Sequence, residues 1–103
     1  MNSSLSTQET SVRRVVPAEV PLENTLLLDV RTPAEFEEAH IDGSVLHPLS
    51  GLAPDEVKKL ASGKSACVVV CRSGNRARQA AEKLGQCGLP NLSILEGGVQ
   101  AWE

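Results

Sequence analysis

Aromatic side chains are almost missing from this chain of 103 residues: tyrosine is absent, and Phe36 and Trp102 are the whole complement. A core must then be packed from Leu, Val, Ile and Ala, and a hydrophobic content of 41% suffices for one domain of this length. Positive charge is not in excess either. The net charge of -3 gives no support to nucleic-acid binding, which needs a basic surface. No apolar run is long enough to span a bilayer, and Met1-Asn2-Ser3-Ser4 lacks the charged start and apolar stretch of a signal peptide. The expectation is a cytoplasmic, reducing location with no membrane contact by this segment. The cysteines show no close CxxC pair and no Cys/His ligand spacing, which argues against zinc. Along a strand, Cys67 lies about 13 Å from Cys71 at 3.3 Å per residue. Cys87 lies roughly 16 Å or more away along a helix. Both exceed the roughly 7 Å that a disulfide to Cys71 would allow.

What is present alternates between strand and helix signals. Met1 to Ser11 is rich in Ser and Thr and is expected to be disordered, leaving residues 12 to 103 as one domain. Strands are predicted at Val12–Val16, Leu26–Val30, Val45–Leu46, Ala66–Val70 and Ser93–Leu95. Ala66 to Val70 is small or β-branched without alternation, as in a strand covered on both faces. Pro17 to Val20 reads as a short helical turn and Pro54 to Ala61 as an amphipathic helix. Thr32, Pro33 and Glu35 form a capping-box start for a short acidic helix. Ala77, Ala80, Ala81 and Leu84 give helical spacing after Gly74, with Gly88 as a stop. The alternation implies an α/β domain with a mostly parallel sheet, without repeats or a second domain.

Chemistry concentrates in Cys71-Arg72-Ser73-Gly74-Asn75-Arg76, where a buried strand hands over to a helix. Backbone N–H groups of such a loop converge on its centre, and the helix dipole adds partial positive charge, so a thiolate and an approaching anion are both favoured. Gly74 permits the tight curl, and Arg72 and Arg76 can hold an oxyanion. Asp29, at a strand end and followed by Arg31, is expected to be structural, pairing with an arginine such as Arg76 and fixing the loop. His40 and His47 read as satisfied loop histidines. Gly97 and Gly98 lack the Lys and Ser/Thr of a P-loop and read as a turn into the last helix.

The loop resembles the active-site loop of single-domain rhodaneses, which are sulfurtransferases. Leu28-Asp29-Val30-Arg31-Thr32-Pro33-Ala34-Glu35-Phe36 is similar to that family's strand-end pattern of Asp, an aliphatic residue and Arg before a helix. Ala39-His40-Ile41-Asp42-Gly43-Ser44 resembles its G-H-I-x-G-A segment, and Leu95-Glu96-Gly97-Gly98-Val99-Gln100-Ala101-Trp102 its closing Gly-Gly and Trp pattern. Four landmarks in order are specific where one alone is weak. The resemblance implies a single rhodanese-like domain: a central, mostly parallel five-stranded sheet flanked by helices on both faces. It implies sulfur transfer through a Cys71 persulfide, with Arg72, Ser73, Gly74, Asn75 and Arg76 binding substrate and Asp29 and Arg31 supporting the loop. The partners implied are a small anionic, thiosulfate-like donor, a thiol or cyanide-like acceptor and a sulfur-relay protein, with no metal or organic cofactor. Two alternatives stay open: a non-catalytic rhodanese-like interaction module, and a cysteine phosphatase or arsenate reductase-like enzyme. Such phosphatases have five residues between Cys and Arg, whereas four separate Cys71 from Arg76, a smaller pocket. The stop at Trp102-Glu103, in the first turn of the expected last helix, reads as a shortened domain. Some rhodaneses continue into a membrane-embedded tail, which leaves open the membrane association of a longer parent.

Overall fold

Five small or β-branched residues in a row have no polar face to give to water, so a strand made of them must lie in the middle of a sheet. Ala66–Val70 does so in the computed structural model, which describes residues 12–21, 23–72, 75–87, 89, 91–95 and 98–102. The strands β1 (Arg13–Val15), β2 (Thr25–Asp29), β3 (Val45–Leu46), β4 (Ala66–Val70) and β5 (Leu92–Leu95) form one parallel sheet in the order β1-β5-β4-β2-β3. Helices α1 (Pro33–Glu38), α2 (Pro54–Ala61), α3 (Asn75–Gln86) and α4 (Gly98–Trp102) connect and follow them. No described helix is long and apolar enough to cross a membrane.

Both faces of β4 are covered. Cys67 and Val69 pack with Leu26 and Leu28 of β2 beneath Val57 of α2 and Ala77, Ala80, Ala81 and Leu84 of α3. Val68 and Val70 pack on the other face with Leu27, Ile41, Leu95 and Val99. The fully buried alanines of α3 let its backbone lie close to the sheet, which suits a core with so few aromatic side chains.

The helix α1 starts as its capping box dictates: the Glu35 N–H donates to Thr32 Oγ1, and the Thr32 N–H donates to Glu35 Oε1 at 3.0 Å. His47 Nε2 accepts the Ala53 N–H at the start of α2, and the His40 ring stacks on Phe36 with centroids 3.8 Å apart. Boundaries shift slightly from the sequence expectation. β1 is confined to Arg13–Val15, because Val16 turns outward into the Pro17–Glu19 3-10 turn; a second 3-10 turn, Leu49–Gly51, follows Pro48. Met1 to Ser11 and the expected helix stop Gly88 lie outside the described residues.

The amino end of the sheet is laced through Ser65. Its N–H donates to the Asn24 carbonyl at 2.8 Å, its hydroxyl accepts from Asn24 Nδ2 at 2.8 Å, and its carbonyl accepts from Asn91 Nδ2 at 2.8 Å. Asn24 and Asn91 both hold the left-handed backbone (φ 57° and 52°) that asparagine tolerates better than most residues.

At the carboxyl end, the expected pairing of Asp29 with Arg76 is replaced by another. Asp29 is fully buried and binds Arg31, whose Nε and Nη2 reach Oδ1 at 3.0 Å and Oδ2 at 2.8 Å. The Arg31 N–H also donates to Oδ1 at 3.0 Å, and Nη2 donates to the Ala39 carbonyl at 2.7 Å. Extended backbone puts residues two apart on one side, so the nearest arginine able to neutralise Asp29 is Arg31. Arg31→Met should therefore strand a buried carboxylate and lower stability to urea by about 3 kcal/mol or more. Adding Asp29→Asn to Arg31→Met should recover part of that loss, since the uncompensated charge is then gone.

Candidate active site

Cys71 follows the last residue of β4, and α3 begins four residues later at Asn75. The cysteine is 1% exposed, Arg72 and Asn75 are exposed, and Arg76 is half-buried on the first turn of α3. Ser73 and Gly74, predicted members of the loop, lie outside the described residues. Burial alone does not mark Cys71, because Cys67, four residues back along the chain, is equally buried. For Cys67, desolvation pushes the thiol up to about 12, so it stays protonated and unreactive at neutral pH. Cys71 differs in sitting at the end of the strand, where the chain opens towards charge.

Arg76 reaches across to α1 rather than to Asp29, whose oxygens Arg31 already fills. Its Nη1 donates to Glu35 Oε1 at 2.8 Å and its Nη2 to Oε2 at 2.9 Å. The Arg76 hydrogen bonds, followed by the Thr32 N–H, hold the Glu35 carboxyl at about 2, well below the usual range. Glu35 in turn raises the Arg76 guanidinium, first through its hydrogen bonds, and electrostatic interaction with Cys71 and Asp29 acts in the same direction. Cys71 and Arg76 thus lie within each other's field. Among the described residues the Arg72 side chain makes no ion pair, so its charge faces solvent beside the cysteine.

Glu35 is the site residue that sequence reasoning reads only as a helix cap. The capping-box pattern is visible, but its second use depends on β2 and β4 being neighbours, with Asp29 beside Val70 in register. Gly98 is likewise legible only as a turn. Its backbone is left-handed (φ +62°), and a Cβ there would collide with the Cys71 and Arg72 carbonyl oxygens. The next residue, Val99, donates its N–H to the Cys71 carbonyl at 2.9 Å. The start of α4 therefore backs the Cys71 loop. A cavity of about 620 Å³ opens at the opposite, amino end of the sheet, between residues such as Arg13, Glu19, Ser65 and Asn91, and not at Cys71. Among the described residues no group of three His, Cys, Asp or Glu is placed to hold a metal ion.

A buried thiol ahead of a helix, with one open and one anchored guanidinium nearby, has cationic surroundings of the kind that favour a thiolate. The comparisons with known proteins agree in family. The rhodanese-like domain model matches residues 17–103. An uncharacterised protein of Synechocystis is 35% identical over the whole of this chain and 56% of its own length. The chloroplastic thiosulfate sulfurtransferase 16 of Arabidopsis thaliana is 33% identical over 89% of this chain and 85% of its own. In structure, a rhodanese-related protein of Thermoplasma volcanium superposes with a TM-score of 0.76 and 36% identity, covering 87% of this chain and 89% of that one. The chain spans 56% of the Synechocystis relative and only 18% and 19% of adenylyltransferase/sulfurtransferase relatives from Drosophila virilis and Mycobacterium tuberculosis. With its five-stranded parallel sheet and its strand-to-helix cysteine loop, the chain belongs to the rhodanese-like domain family and is related to sulfurtransferases.

Proposed function

We propose that this chain moves a sulfane sulfur from thiosulfate or a similar donor to a thiophilic acceptor through a persulfide on Cys71. The observation that carries the reading is the placement of Cys71 at the carboxyl end of the central strand, beside an exposed Arg72 and within the field of an anchored Arg76. The Cys71 thiolate attacks the outer sulfur of thiosulfate; the donor S–S bond breaks and sulfite leaves with its electron pair. The terminal sulfur of the persulfide is then attacked by a thiolate or cyanide, which departs with the sulfur and returns Cys71 as thiolate. The two steps balance without an external oxidant or reductant. Arg72 meets the donor's charge, while loop N–H groups stabilise negative charge on the terminal sulfur. The small donor and acceptor, and a relay protein in their place, all reach Cys71 from the side that Arg72 occupies.

One observation favours the rival reading of a non-catalytic interaction module: at 1% exposure, Cys71 offers little surface to a donor. The phosphatase reading is weakened by Arg76, both of whose terminal nitrogens are taken by Glu35 instead of awaiting a tetrahedral ester.

Cys71→Ser should abolish sulfur transfer from thiosulfate to cyanide while leaving the unfolding midpoint nearly unchanged. Mass spectrometry of the thiosulfate-treated protein should find added sulfur on Cys71 and none on Cys67 or Cys87; a protein that takes up no sulfur at Cys71 is the interaction module. Arg72→Ala should raise the KM for thiosulfate by about tenfold with a smaller loss of kcat and an unmoved Tm. Arg76→Ala should lower activity and also lower Tm, with a loss of stability on the order of 1 kcal/mol for a half-buried pair. Glu35 supplies a pH signature. Its ordinary value is 4.5 and its folded value about 2, so its contribution is complete above 4.5 and fades as pH falls towards 2. Glu35→Gln should be less stable than the parent in urea at pH 7, and the gap should close across that acidic window.

A further inference from the structure

Three described glycines hold left-handed backbone, and one of them differs from the others. At Gly43 (φ +85°) and Gly63 (φ +81°) an added Cβ would meet nothing within 4 Å; at Gly98 it would run into the Cys71 carbonyl oxygen and the Arg72 carbonyl group. Beside it, the Val99 N–H donates to the Cys71 carbonyl at 2.9 Å. We propose that Gly98 is a positioning residue: its missing side chain lets the first turn of α4 press against the Cys71 and Arg72 carbonyls and so fixes the peptide planes that carry the nucleophile.

The consequence follows from peptide geometry. A trans peptide points its C=O and N–H in opposite directions. With the Cys71 carbonyl held against α4 by Val99, the N–H of Arg72 is turned away from α4. On that side it is a donor for negative charge gathering on sulfur. Donors aimed in advance at a developing charge act on the rate of the chemical step more than on ground-state binding. This inference rests on the assignment of Cys71 as the persulfide carrier, and its effect is separable from that of general backbone strain because Gly43 and Gly63 share the strain without the contact.

The test compares Gly98→Ala with Gly43→Ala and Gly63→Ala in the full chain. In Gly98→Ala the rate of Cys71 alkylation by iodoacetamide at pH 7 should fall about tenfold and recover at higher pH, and kcat with thiosulfate should fall about a hundredfold with KM changed by no more than about twofold. The two control variants should keep the parental pH profile and kcat. If Gly98→Ala matches the controls in both readouts, the inference is wrong. Should Gly98→Ala not fold, the unsubstituted protein still decides the matter. Its Val99 amide resonance should move over the same pH range in which Cys71 alkylation accelerates, and again when Cys71 is alkylated, while the Gly63 amide stays put. A Val99 amide indifferent to both changes overturns the proposal. Failure of the parent protein to take sulfur onto Cys71 would instead defeat the sulfur-transfer reading, and it leaves the alkylation and amide results to judge Gly98 alone.

Discussion

The carboxylate of Glu35 accepts from Thr32 N and Oγ1 and from both Nη atoms of Arg76, and this single group ties the first turn of α1 to the first turn of α3. Capping is normally a local matter worth about 1 kcal/mol. Here the same oxygens also set where α3 begins relative to β2, and so where the Cys71 loop must close. The arrangement holds only while Glu35 is ionised, and a value near 2 keeps it so at any physiological pH. It also leaves the site with an uneven distribution of charge. Arg31 and Arg76 are each matched by a carboxylate, and Arg72 beside Cys71 is not matched among the described residues.

Periodicity makes some of this readable in advance. Ala66–Val70 and Pro54–Ala61 are legible to the residue because one run has no polar face and the other opens with proline and keeps a polar one. The capping box of α1 is equally plain, since it needs only Thr32 and Glu35 in register. The arginine partners are not. Asp29 has Arg31 and Arg76 as candidates, and the choice turns on the backbone staying extended past the end of β2, which puts Arg31 on the side of Asp29, while Arg76 finds Glu35 only once α1 and α3 are neighbours. Gly98 shows the same limit, because a glycine in a turn and a glycine under a carbonyl look alike until the distant loop is in place.

Burial separates less than environment does. Cys67 within β4 and Cys71 just past its end are both shielded and both in the same apolar cluster. Four residues separate their surroundings: the first is enclosed by hydrocarbon along the strand, and the second stands just past the strand end, within the field of the Arg76 guanidinium. The strand acts as a graded insulator, and charge comes within reach where the insulation stops.

The lacing at Ser65 has a consequence for how such a domain can diversify. Asn24, Ser65 and Asn91 join β2, β4 and β5 at the end of the sheet away from Cys71, through backbone and short side chains that do not depend on what the loop contains. Residues between Cys71 and Arg76 can then vary in charge or size with the strands still in register. The far end behaves as a clasp that sets the register of the strands independently of the loop.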